Sequence, residues 1–432
     1  MIMATYYRYD SHCHIFTLEF ALKEVKNMVH DILHGTYPWH DPSADKALLV
    51  TKGKWTDFKE LLRQLYELIH AAGSSEEANL NFLQNEEKKA FPEDTLRIIP
   101  LMMDIFYMFA YPMNKDEDLK GVAKLQGAEI DPMEYQSAWN EILDDFKDYL
   151  KLQQTKKLLT STDRSNGRIE IALQLIEQER SVKETLSLRR KVLSLSDTKN
   201  YYHTDGFNFH LNNLMNLVKT RTNELFPFIA VDPRRPGMVE TITSGSFFAG
   251  SIHFYGVKLY PRMGYHPQCK PMDAVYKYCN ENKLPIIFHC GKGGFPPSTK
   301  WKYSDFGNPI NFEPIVKKYP NLKIDFAHMG STDPTFEWAD TIVRLVNENE
   351  NVFSDLSCYT DADELVPMRT YWDNNPKLKT RLMFGTDFDV MYFTDRVTMQ
   401  SYYNGFKSTF NPDELKALMH DNPLRFFSFI PL

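Results

Sequence analysis

The chain has 432 residues, of which 43% are apolar and 25% charged, enough to bury one large core or to build a barrel carrying sizeable insertions. The net charge is -7 and no basic block stands out, which argues against nucleic acid as a partner. No apolar run is long enough to span a bilayer, which argues against a membrane. Five cysteines without zinc-finger spacing, and no signal peptide ahead of Tyr9, point to a reduced, cytoplasmic setting.

The first strand-like run, TYYRYD, leads into SHCH and so places His12 and His14 at its end. Residues two apart on a strand project to one side, so both imidazoles are candidates to converge on one metal ion. Residues 17 to 94 contain no second strand of comparable strength. Phe58, Leu61, Leu62, Leu65, Leu68 and Ile69 recur at helical spacing, and AAGSSEEANLN after them reads as a polar loop. TLRIIPLMMD, 95–104, reads as a buried strand ending in Asp104. A long polar and helical excursion follows to about 224, with Trp139, Ile142, Leu143, Phe146 and Leu150 at three-to-four spacing. It is either a structural cap or a lid.

From 225 the rhythm changes. LFPFIAVDP, IHFYGVKLYP, LPIIFHC, NLKIDFAHMG, NVFSDLSCY and RLMFGTDFDV are six short apolar runs, with helical stretches such as TFEWADTIVRLVNENE between them. This alternation predicts parallel βα units. With the two earlier runs there are eight strands, so the expected fold is a distorted (β/α)8 TIM barrel of the α/β class. It forms a single unit over 1–432, with mainly helical insertions at about 17–94 and 105–224 after strands 1 and 2.

Catalytic groups in such a barrel belong at the strand ends. His12 and His14 close the first strand, Asp104 the second, Asp232 the third, Lys258 the fourth, His289 the fifth, His328 the sixth and Asp387 the eighth. Imidazoles on several strands with a terminal carboxylate suit a divalent metal, zinc first, with manganese, iron and cobalt also compatible. Arg262, Arg234 and Arg235 are candidates to grip a substrate carboxylate. Lys292 and the amides of GKGG, 291–294, are candidates to cradle an anion; the spacing is not that of a P-loop. Asp389, Trp301, Tyr303 and Trp338 lie near the same mouth.

DSHCHIF, GVKLYP, IIFHC, FAHMG, LMFGTDFD and NPLRFF resemble the amidohydrolase superfamily, and most closely its amidohydrolase-related branch, which contains aminocarboxymuconate-semialdehyde decarboxylase and metal-dependent lactone or ester hydrolases. The resemblance covers mainly 1–16 and 225–430. It implies one metal held by His12, His14, His289 and Asp387, with His328 activating water or protonating the substrate. A two-metal site bridged by a carboxylated Lys258, as in other members, is the less favoured version. The expected activity is hydrolysis of a lactone, ester or amide of a small carboxylate-bearing substrate. Nonoxidative decarboxylation of an unsaturated or aromatic acid is the alternative, a noncatalytic barrel the third reading, and a homodimer the expected assembly.

Overall fold

The structure is a computed structural model; it describes residues 7–34, 37, 59–63, 66, 75–110, 112–118, 132–158, 163–181, 193–195, 199–201, 204–294, 303–331, 333–359, 362–388 and 398–428. Eight parallel strands form the barrel: β1 (Tyr7–Cys13), β2 (Thr95–Pro100), β3 (Phe228–Val231), β4 (Gly256–Leu259), β5 (Ile286–Phe288), β6 (Ile324–Phe326), β7 (Val352–Asp355) and β8 (Leu382–Met383). β3 to β8 form one six-stranded sheet in sequence order, and β1 pairs with β2. Two seams close the ring. Bridges Ile98–Leu225 and Leu101–Phe228 join β2 to the β3 side, and Ser11 N donates to Phe384 O at 3.0 Å, joining β1 to the end of β8.

The strands read as unbroken apolar runs because both of their faces are covered. Inside, Tyr9, Ile99, Phe228, Ile287, Phe353 and Met383 pack on Phe426 and Phe427, so the C-terminal NPLRFF plugs the floor. Outside, helices such as Lys270–Asn282 and Glu337–Glu348 bury their apolar stripes on the sheet. No described helix is long and apolar enough to cross a membrane.

The excursions supply α1 (Leu18–His34), α2 (Glu76–Ala90), α3 (Pro132–Leu158), α4 (Asp163–Ser181) and α5 (Asp205–Thr220). α1 turns Leu18, Leu22, Val25, Met28, Val29 and Ile32 inward at helical spacing. These residues share a second core with Trp139, Ile142 and Phe146 of α3 and with Met103, Phe106 and Met263, which follow the ends of β2 and β4. The inserted helices therefore rest on the C-terminal edge of the barrel. Leu61 and Leu62 are buried in the same core, whereas Phe58, Leu65, Leu68 and Ile69 lie outside the described residues. The polar loop expected over 71–81 is corrected from Ser75 onward. Ser75 Oγ accepts from Ala78 N at 3.2 Å and caps α2, whose Leu80 and Leu83 are buried. A short antiparallel hairpin, Leu193–Leu195 with Lys199–Tyr201, was not expected.

Glu24 of α1 lies under this cap. Its Oε1 accepts from the Thr204 hydroxyl at 2.7 Å, Oε2 is buried without a hydrogen-bond partner among the described residues, and burial raises the carboxyl pKa from 4.5 to about 8. The folded chain therefore keeps a proton that the unfolded chain releases above about pH 4.5, and stability falls as pH rises through this window. The expected slope is about 1.4 kcal/mol per pH unit, levelling off above the folded pKa. Urea denaturation at pH 5 and pH 8 should find this difference reduced in Glu24→Gln.

Candidate metal centre

The ends of β1, β4, β5, β6 and β8 bring the strand-end groups together. β1 carries an irregularity between Asp10 and Cys13, and Asp10 secures it: Oδ1 accepts from His12 N at 3.3 Å and Thr386 N at 2.9 Å, and Oδ2 from the Thr386 hydroxyl at 2.6 Å. Asp387 N then donates to His12 O at 2.7 Å, which places the β8 carboxylate beside the β1 histidines.

The hydrogen bonds determine which ring nitrogens are free. His12 Nδ1 lies 2.9 Å from Asp355 Oδ2, and His14 Nδ1 lies 2.9 Å from Leu101 O. A carboxylate and a carbonyl only accept, so each Nδ1 carries the proton and each Nε2 presents a lone pair. Those lone pairs face one atom, Asp387 Oδ1, at 3.7 Å from His12 and 3.4 Å from His14, and that oxygen is buried without a hydrogen-bond partner among the described residues. Lys258 supplies the one N–H donor near them, to His12 Nε2, while His14 Nε2 and Asp387 Oδ1 stand as two acceptors 3.4 Å apart, an arrangement that a cation resolves. Burial, followed by the Lys258 charge, holds the His12 pKa well below its usual range and that of His14 at about 3, so both stay neutral as a metal requires. Burial raises the Asp387 pKa to about 7. The residues fit a divalent ion.

His12, His328 and Asp387 offer donor atoms within 4.8 Å of one another. His328, however, has both nitrogens engaged, Nδ1 with Ser357 Oγ at 2.7 Å and Nε2 with His289 Nδ1 at 3.0 Å. His289, expected as a ligand, sets its other nitrogen, Nε2, 3.1 Å from Gly293 O. Gly294, at φ 106°, permits this close turn: a Cβ there would stand 2.1 Å from the Tyr260 hydroxyl. Lys258 Nζ is 3.1 Å from His12 Nε2, and burial lowers its pKa to about 8 against the pull of Asp387, Asp355 and Asp325.

The residues expected to bind substrate are dispersed. Arg234 is held on Asp232 by contacts of 2.9 and 2.6 Å and on Met263 O, and Arg235 is held on Asp104 by two of 2.8 Å. Lys292 Nζ turns to Asp333 at 2.7 Å. Arg262 differs from these. It is buried, its Nη1 donates to Lys292 O at 2.8 Å, and its Nε has no partner among the described residues. Trp338 packs in the core and Tyr303 stacks on Phe306. Asp389 and Trp301 lie outside the described residues.

Sequence reasoning missed Asp355, the hub beneath the site. It holds the His12 ring, while its Oδ1 accepts from His328 N at 3.0 Å, Ser357 N at 2.9 Å and the Ser357 hydroxyl. The available signal was the acid closing the seventh strand in FSDLSC. Cys358, whose Sγ lies 2.6 Å from Asp387 Oδ2, was also missed. So was His210 of α5, a buried imidazole that packs 4.8 Å from the Phe20 ring and has neither nitrogen hydrogen-bonded among the described residues.

A probable 2-pyrone-4,6-dicarboxylic acid hydrolase from Acinetobacter baumannii shares 12% identity and a TM-score of 0.40, over 52% of this chain and 82% of that one. 2,6-Dihydroxybenzoate decarboxylase from Rhizobium shares 14% identity and a TM-score of 0.39, over 51% and 76%. An uncharacterised TIM-barrel protein from Bordetella bronchiseptica shares 17% identity and a TM-score of 0.39, over 50% and 71%. No curated protein matches the chain. The family model described as amidohydrolase matches residues 194–429, more than half of the chain. With the closed eight-stranded barrel, that match makes the chain a barrel enzyme of the amidohydrolase superfamily, in its amidohydrolase-related branch.

Proposed function

We propose that the protein is a metal-dependent, nonoxidative decarboxylase of a small unsaturated or aromatic acid, with one ion, zinc first, held by His12, His14 and Asp387. The observation that carries this reading is a buried site joined to a hydrogen-bonded chain that can carry a proton. His12, His14, His289, His328 and Asp387 are each at most 8% exposed. The neighbouring cavity, lined by Lys258, Tyr260, Met263 and Tyr265 among others, has room for about one water molecule, at about 10 Å³.

The chain runs Gly293 O, His289, His328, Ser357, Asp355. Its four links hold three hydrogens when both imidazoles are neutral, the state that burial favours for each. One link lacks a hydrogen, so a proton that enters the chain, against the burial that favours neutral imidazoles, is shared along it. In the proposed reaction His328 passes that proton to the substrate carbon as the bond from carbon to the carboxylate breaks. The bond's electron pair stays on the carbon, CO2 leaves, and solvent reprotonates the chain. When bound, a divalent ion anchors a substrate oxygen and disperses developing negative charge.

Arg262 supports an acidic substrate. It is a buried guanidinium with an unused donor, and a carboxylate would satisfy it. Arg262→Met should raise KM for the acid that is turned over by roughly 10–100-fold with a smaller change in kcat, the value of about 1.5–3 kcal/mol for a hydrogen bond to a charged group.

Hydrolysis is the second reading, favoured by the same proton-short chain acting as base toward a water. A panel of aromatic and unsaturated acids, lactones, esters and amides, followed by CO2 release and by incorporation of labelled water oxygen, separates the two. Label in the product without CO2 would overturn the decarboxylase.

A further inference from the structure

Behind the convergent oxygen of Asp387 stands a thiol. Cys358 follows β7, and its Sγ contacts Asp387 Oδ2 at 2.6 Å. The opposite oxygen, Oδ1, is the one facing His12 and His14. A carboxylate rotates readily about its last bond, so a tether on one oxygen determines where the other points.

The contact is built into the backbone. Cys358 at φ 66° and Asp387 at φ 49° both adopt the left-handed conformation that residues other than glycine rarely take. Tyr402 staples their loops, its hydroxyl lying 2.5 Å from Gly385 O after β8 and 3.2 Å from Leu356 O after β7.

We propose that Cys358 is a positioning residue of the metal centre: its thiol donates to Asp387 Oδ2 and so aims Oδ1 at the ion between His12 and His14. This rests on the metal-centre reading above. A serine hydroxyl supplies the same donor, while alanine and glycine supply none. Glycine is also relaxed at φ 66°, so Cys358→Gly removes the thiol without a backbone penalty and separates positioning from folding.

The test titrates zinc into metal-free full-length protein against a competing fluorescent chelator, for wild type, Cys358→Ser, Cys358→Ala, Cys358→Gly and Asp387→Ala. Cys358→Ala and Cys358→Gly should bind zinc about 10–100-fold more weakly, the usual cost of losing a group that orients a ligand, with Cys358→Ser within about threefold of wild type. Metal-free Cys358→Gly should melt no lower than wild type, and its cobalt form should show shifted visible bands. Wild-type zinc affinity in Cys358→Gly beside a weakened Asp387→Ala would overturn the positioning role and leave the metal centre standing. Wild-type affinity in Asp387→Ala as well would overturn the metal centre itself. A loss in Cys358→Ser equal to that in Cys358→Gly would overturn the donor role. A thiolate-to-cobalt charge-transfer band in wild type, absent from Cys358→Gly, would make the cysteine a ligand and overturn the proposal as stated.

Discussion

Asp387→Ala and His12→Ala are each expected to empty the metal centre and abolish turnover. Either change removes one of the three lone-pair groups that meet around Asp387 Oδ1. The loss of affinity should exceed the roughly 10–100-fold that removal of an outer partner costs. Metal content after dialysis, by elemental analysis, reads it directly. His328→Ala makes the contrast. Its ring is committed to Ser357 and His289, so this variant should lose turnover while keeping most of its metal. Loss of metal from His328→Ala would shift the ion toward the His12, His328 and Asp387 set.

The second large effect concerns stability. Asp104 and Arg235 form a fully enclosed pair, with contacts of 2.8 Å on both oxygens. The guanidinium also lies 4.4 Å from the centre of the Phe207 ring, on inserted helix α5. Asp104→Ala removes the carboxylate that meets this buried charge through both oxygens and is expected to cost about 3–5 kcal/mol, measured by urea denaturation. Replacing both residues with apolar side chains of similar volume should recover most of the loss, because removing both charges removes the penalty. A single-variant cost below about 1 kcal/mol, as for exposed pairs, would show that water reaches the guanidinium.

The barrel was legible because each strand is covered on both faces and so reads as an apolar run, with chemistry-bearing residues gathered where the run stops. His12, His14, His289, His328 and Asp387 were found by that rule, and the structure brings them into one cluster of contacts. What the rule could not show is how each side chain spends its hydrogen bonds. Arg234 and Arg235 look like anion grips in VDPRRP, yet the partner of Arg235 lies 131 residues away on another strand end. Lys292 follows His289 closely in sequence, but its flexible stem carries the ammonium to Asp333. Asp355 was overlooked because the seventh strand ends in an acid that serves two histidines through the fold and neither through spacing. The start of α2 was misread because Gly-Ser-Ser suggests a turn, although serine followed by two glutamates also marks a helix start.

The seam between β1 and β8 has a consequence for how the enzyme is made. Asp10 and Thr386, whose bonds hold the seam, are 376 residues apart. His12 and His14 are translated ahead of every later strand, while Asp387 emerges only after the seventh. Until the eighth strand is made, the β1 histidines have no Asp387 beside them. On the proposed metal centre, closure of this seam and convergence of the ligands are one event, and an ion bound there would fasten β1 and β8 together.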